Sequence, residues 1–105
     1  MKYQVVVAAR AACDVQSIYD WLAERSPSGA KAWYQAWNIA LDSLEGEPLG
    51  FAVAVESPRR NFTIREAYFR TRKGRTYRIL FTIVDVEVRV LHVLGPAQLF
   101  PDDLA

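Results

Sequence analysis

The chain has 105 residues, of which 51% are hydrophobic and 24% charged, so it is long enough for one hydrophobic core and too short for two. We expect a single domain over 1–105, with its core over about 3–94 and a C-terminal tail over 95–105. A formal net charge of +1 does not imply general electrostatic attraction to nucleic acid, so any such binding must come from a local cluster of charge.

The cysteine content and the apolar segments point to a cytoplasmic protein. Cys13 is the only cysteine, which excludes an internal disulfide and favours a reducing compartment. The apolar run near the N-terminus is short and is interrupted by Arg10. No stretch approaches the ~20 consecutive apolar residues that a membrane-spanning helix needs. We therefore expect no membrane segment.

The first half of the chain predicts a strand and two helices. Residues 2–8 are rich in β-branched and aromatic side chains and are typical of a strand. From about Ala11 the apolar residues recur at helical spacing until the segment 26–29, Ser-Pro-Ser-Gly, interrupts them. Either serine could cap a second helix over about 29–45. Trp33 and Trp37 lie on the apolar stripe of that helix and are expected in the core.

The second half predicts a loop and three strands. Residues 46–61 contain prolines, glycines and the Arg59-Arg60 pair, and they are expected to form a long surface loop. Alternating patterns over 63–71, 76–84 and 88–94, separated by short turns, predict a three-stranded antiparallel meander. The order β-α-α-β-β-β indicates an α+β fold, in which a helical hairpin packs on one face of a small, mainly antiparallel sheet.

Charge is distributed unevenly. Residues 1–57 hold four basic and seven acidic side chains, whereas residues 58–105 hold nine basic and five acidic ones. Between Arg59 and Arg78, eight basic residues accompany a single acid, Glu66. The alternation over 76–84 places Arg78 on the sheet face away from the helices, so we expect the arginines to form an exposed, concave cationic surface. Such a surface could position RNA phosphates or dock an acidic protein segment, and the simplest alternative is a solvated hairpin.

Few residues could support catalysis. One histidine and one cysteine do not make a zinc site, and we expect neither a metal nor a cofactor. His92 could act as a general acid or base, although a hydrogen-bonded, inert strand residue is the simpler interpretation. Cys13 is expected to be a small buried residue. Trp21 and Tyr34 lie off the main apolar stripes and would mark a partner-binding patch if exposed.

Four short motifs in order resemble the RelE/ParE superfamily of bacterial type II toxins, especially members called plasmid stabilisation proteins. The resemblance covers about residues 3–98. The motifs are Ile18-Tyr19-Asp20-Trp21-Leu22, Ile64-Arg65-Glu66, Thr76-Tyr77-Arg78-Ile79-Leu80-Phe81 and Val88-Arg89-Val90-Leu91-His92-Val93-Leu94.

The resemblance implies a toxin that is held inactive by an antitoxin, whose extended and often acidic segment wraps the toxin across its helices and sheet. RelE-like members cleave mRNA in the ribosomal A site, whereas ParE-like members act on DNA gyrase. By position, Arg65 and Arg78 match recurrent arginines of the family, and Tyr77 matches the aromatic residue before the second one. The basic pair usual after the last strand is replaced by Leu94-Gly95-Pro96, and Phe100 stands near the usual terminal tyrosine.

These departures favour a ParE-like toxin that inhibits growth by binding a target such as DNA gyrase and is neutralised by a cognate antitoxin. The alternatives are a RelE-like, ribosome-dependent endoribonuclease acting without metal, with Arg65, Arg78 and His92 as catalytic candidates, or an inactive relative that only binds its partner. Trp21 and Tyr34 are the candidates for antitoxin binding. The expected target-binding residues are the basic and aromatic ones of the block, Arg65, Arg70, Arg72, Lys73, Arg75, Tyr77 and Arg78.

Overall fold

The computed structural model describes residues 2–57 and 61–96. Two helices and four strands follow one another in the predicted order. They are β1 Gln4–Val7, α1 Ala9–Arg25, α2 Pro27–Ser43, β2 Arg65–Phe69, β3 Tyr77–Val84 and β4 Glu87–Leu94, with a short 3-10 helix at Pro48–Gly50 before β2.

The four strands form one mixed sheet in the order β1-β4-β3-β2. β2 and β3 pair antiparallel, as do β3 and β4, which confirms the predicted meander. β1 joins the sheet as the parallel neighbour of β4, with Gln4 opposite Glu87 and Val7 opposite Val90. The connection from β1 to the meander contains both helices, and such a crossover is what a parallel pairing requires. The α+β class with a helical hairpin on the sheet is confirmed.

The main core lies between the helical hairpin and one face of the sheet. Trp33 and Trp37 of α2 are 2% and 4% exposed, as expected from the apolar stripe. They pack with buried residues of the strands, including Ile79 and Phe81. Because side chains alternate along a strand, Leu80 and Thr82 lie on the opposite face, as the pattern predicted.

A second, smaller core covers part of that opposite face. Leu80 and Leu94 pack there with Ile64 and with Ala54, which belongs to the segment between α2 and β2. The backbone N–H of Ala54 donates to the Ile64 carbonyl at 2.8 Å, so this segment runs beside the start of β2. The prediction of a surface loop over 46–61 holds for most of its described residues, which are exposed, but Ala54 is buried against the sheet, so the segment is not a plain loop.

Ser26 sets the junction of the two helices. Its Oγ accepts a hydrogen bond from the Gly29 N–H at 3.0 Å, and Pro27 occupies the first turn of α2. Proline is favourable there because that position has no intrahelical partner for an N–H. α2 consequently begins two residues earlier than the expected Gly29, and α1 begins at Ala9, before the expected Ala11.

Replacing Ser26 with alanine should lower the free energy of unfolding by about 1 kcal/mol, because the Gly29 N–H loses its acceptor. Ser28→Ala is the matched control, since Ser28 is exposed and its hydroxyl makes only a long contact of 3.4 Å with the Ser26 hydroxyl among its described side-chain contacts. We expect the control to change the stability by less than about 0.5 kcal/mol in urea denaturation. Equal losses in the two variants would contradict the assignment of Ser26 as the cap.

Some sequence-based expectations fall outside the described residues. These are the Arg59-Arg60 pair, Phe100, and the part of the expected C-terminal tail after Pro96. Within the described part of the chain, neither helix combines the length and the apolar character needed to cross a membrane.

Candidate functional site: a basic hairpin and the groove beside it

Arg78 of β3 forms ion pairs with two glutamates. Its Nη2 lies 2.7 Å from Glu56 Oε2, and its Nη1 lies 2.9 Å from Glu66 Oε1. The three side chains are only 13–17% exposed. The hydrogen bonds with Glu56, and then the one with Glu66, raise the pKa of Arg78 despite its burial. Arg78 is therefore a cross-link between β3, β2 and the segment before β2, and its charge is already compensated.

Arg65 lies elsewhere on the sheet. It stands opposite Phe81 in the register of β2 and β3, whereas Arg78 stands opposite Tyr68. Because Arg65 and Tyr68 are three residues apart on one strand, Arg65 and Arg78 leave the sheet from opposite faces. The Arg65 Nη1 donates to the Phe51 carbonyl at 2.7 Å, which holds it against the segment before β2.

Tyr77 belongs to an aromatic cluster on the helix side of the sheet. Its ring centroid lies 5.4 Å from that of Trp33 and 5.8 Å from that of Phe69. The ring is half-buried, and this burial raises the pKa of the hydroxyl. Tyr77 therefore faces away from Arg78, its neighbour in sequence.

The remaining described members of the basic block are exposed. They lie at the end of β2 and in the turn to β3, a segment that we call the basic hairpin: Arg70, Arg72, Lys73 and Arg75. The expectation that all the arginines converge on one concave surface is wrong. Strand alternation separates Arg65 from Arg78, and carboxylates brought in by the fold compensate Arg78.

His92 is 2% exposed and is hydrogen-bonded to Asp14 of α1. Its Nδ1 lies 2.5 Å from Asp14 Oδ2, and the same oxygen accepts the Val93 backbone N–H at 3.0 Å. β1 pairs with β4 only as far as Val90, so Asp14 satisfies a backbone donor on the part of β4 that β1 does not reach. This arrangement agrees with the simpler interpretation of His92 as a structural residue.

Neither a buried cysteine nor a metal-binding cluster is found among the described residues. Cys13 is exposed, which corrects the expectation of a buried residue. Among the residues that the structure describes, His, Cys, Asp and Glu form no group of three that could hold a metal ion.

A groove of about 700 Å³ lies between the end of α1, the start of α2 and the basic hairpin, and we call it the hairpin groove. No acidic residue occurs among the described residues that line it. Its aromatic and cationic lining consists of Trp21, Trp33, Tyr77, Arg25, Lys73 and Arg75.

Trp21 and Tyr34, the two candidates for partner binding, are both accessible. Trp21 is 53% exposed and lies at the hairpin groove, with the Arg25 guanidinium carbon 3.6 Å from its ring centroid. Tyr34 is 45% exposed and packs edge to face on Tyr19 at 5.9 Å. Tyr34 lines a separate depression between the two helices, so the two candidates belong to different surfaces.

Comparison with solved structures finds similar chains. The chain is similar to a chain in the crystal structure of the toxin-antitoxin complex RelBE2 from Mycobacterium tuberculosis, with 22% sequence identity and a TM-score of 0.49. The match covers 91% of this chain and 100% of that chain. No family model and no curated protein matches the sequence.

Proposed function

We propose that the chain is the toxin of a bacterial type II toxin–antitoxin pair and that it acts in the cytoplasm by binding a macromolecular target such as DNA gyrase. The sequence motifs that resemble the RelE/ParE superfamily support this proposal, and they follow one another along the helices and strands of the fold. The first motif lies in α1, the second at the start of β2, and the other two on β3 and β4.

The observation that carries a binding function is the commitment of Arg78 and His92 to internal pairs. Cleavage of RNA requires a group that exchanges a proton beside a group that stabilises the charge developing on the phosphate. His92 is buried against Asp14, and Arg78 is held by two glutamates on the sheet. The accessible cations of the basic block lie instead on the basic hairpin, near the exposed ring of Trp21 and the partly exposed ring of Tyr77.

The proposed roles of the residues follow from which side chains are paired inside the fold and which are accessible. We assign target binding to the exposed cations of the basic hairpin, Arg70, Arg72, Lys73 and Arg75. We assign antitoxin contacts to Trp21 and Tyr34, since both present large accessible rings on the helical hairpin.

Expression of the protein alone should arrest bacterial growth, and co-expression of the small protein encoded beside it should restore growth. Growth curves after induction, with soluble expression confirmed by immunoblot, measure both effects. Normal growth with the soluble protein present and its partner absent would count against the proposal.

The target is identified by two parallel assays on the purified protein. We expect inhibition of DNA gyrase in a supercoiling assay and unchanged mRNA in primer extension on translating extracts. New mRNA ends at ribosome-bound codons, abolished by His92→Ala in a variant that remains folded, would favour the RelE-like endoribonuclease. Binding of the partner without any toxicity would favour an inactive relative.

A further inference from the structure

We propose that the hairpin groove is the docking site for an acidic peptide segment of a partner protein that inserts a bulky apolar side chain between the aromatic walls. The identification of that partner as the antitoxin rests on the proposed function. The docking chemistry itself rests only on the groove.

The charge of the hairpin groove favours an acidic ligand. Arg25, Lys73 and Arg75 line the groove from two sides, the first from the end of α1 and the others from the basic hairpin. Ser26 and Gly29 at the start of α2 also line it, so the partial positive charge of a helix N-terminus faces the same space. All these contributions have one sign, which favours a ligand that carries carboxylates.

The walls of the hairpin groove favour an apolar side chain. Trp21, Leu22 and Tyr77 border the groove, and its volume of about 700 Å³ is sufficient for several side chains. Trp33 also borders it. A bulky apolar side chain would remove the wall surfaces from water.

The state of the rings favours a peptide over a nucleic acid. Binding of a single strand by stacking needs an open aromatic face for each base. The Arg25 guanidinium already covers one face of Trp21, and Tyr77 is packed against Trp33 and Phe69. Trp33 itself is only 2% exposed. The groove therefore offers at most one open ring face, that of Trp21, beside its charged groups, which suits carboxylates and an apolar side chain better than a run of stacked bases.

Calorimetric titration of the full-length protein with a synthetic peptide tests the proposal. The probe carries a Leu-Phe pair flanked by glutamates. We expect Lys73→Ala combined with Arg75→Ala to weaken binding at least about tenfold, since two charged contacts are lost. The matched control is Lys31→Ala combined with Arg89→Ala, which removes the same charge from exposed positions outside the groove. It should change the affinity less than about twofold, a minor effect in free energy.

Two altered peptides separate the charged and apolar parts of the interaction. Replacing the glutamates with glutamines, or the Leu-Phe pair with serines, should each weaken binding to the wild-type protein. Equal weakening by the groove variant and by its control would overturn the proposal, because attraction would then follow net charge alone. Absence of peptide binding would overturn it as well.

Two competing occupants are tested in the same assay. A single-stranded oligoribonucleotide that displaces the peptide and binds more tightly would replace the peptide proposal with a nucleic-acid site. Tighter peptide binding after Asp102→Asn and Asp103→Asn would instead assign the groove to the chain's own C-terminal residues. Peptide binding is measured without reference to toxicity, so failure of the toxin assignment and failure of the docking proposal give different results.

Discussion

Replacing Arg78 with alanine should lower the free energy of unfolding by about 3 kcal/mol, because Glu56 and Glu66 would remain as two close carboxylates with their shared cation removed. We place the loss at the lower end of the range for buried ion pairs because the three side chains retain 13–17% exposure. Urea denaturation followed by tryptophan fluorescence measures the change.

Arg89→Ala is the matched control for this variant. Arg89 lies on the adjacent strand and pairs with Glu87, but its side chain is 51% exposed, so its loss should cost less than about 1 kcal/mol. Adding Glu56→Gln and Glu66→Gln to the Arg78→Ala background should recover part of the stability, because the unpaired charges are then removed. Equal losses of stability for Arg78→Ala and Arg89→Ala would contradict the assignment of Arg78 as a cross-link between β3, β2 and the segment before β2.

The ion pairs of Arg78 with Glu56 and Glu66 affect the interpretation of toxicity measured for Arg78 variants. An arginine that holds the sheet to the segment before β2 affects activity through the folded fraction as well as through any contact with a target. Loss of toxicity in Arg78→Ala therefore supports a direct role only where the soluble variant keeps its cooperative unfolding transition. Variants of the exposed basic hairpin carry no such ambiguity.

Replacing Asp14 with alanine should cost about 2–4 kcal/mol, because the buried Val93 N–H and the His92 ring each lose an acceptor. The same variant should accelerate amide exchange at Val93 relative to Ile79, which lies in the centre of the sheet. Urea denaturation and hydrogen exchange followed by NMR measure the two effects.

Two controls locate the effect at the carboxylate. Asp14→Asn keeps one acceptor oxygen and should lose less stability than Asp14→Ala. Asp20→Ala removes an exposed carboxylate of α1 that accepts only a local bond from Gln16 among its described contacts, and it should cost less than about 0.5 kcal/mol. An Asp14→Ala variant as stable as Asp20→Ala would show that Asp14 does not anchor β4.

The sequence by itself determined the element order, the fold class and the faces of the elements. Each of these follows from local periodicity, since residues three and four apart share a helix face and residues two apart share a strand face. The burial of Trp33 and Trp37 and the position of Arg78 away from the helices were predictable in this way. The junction at Ser26 needed only the choice between two serines, which the adjoining proline decided.

The tertiary structure decided which charged residues remain free. Glu56 and Arg78 are 22 residues apart, and Asp14 and His92 are 78 apart, so no local pattern relates either pair. Burial also excludes the water that would otherwise solvate these groups, so the fold selects partners for Arg78 and His92 while the basic hairpin stays exposed. The periodicity of the sequence assigns a side chain to one face of a strand or helix. Only tertiary packing brings distant carboxylates to that face. For this reason the sequence alone does not distinguish Arg78, which is paired within the fold, from the exposed cations of the basic hairpin.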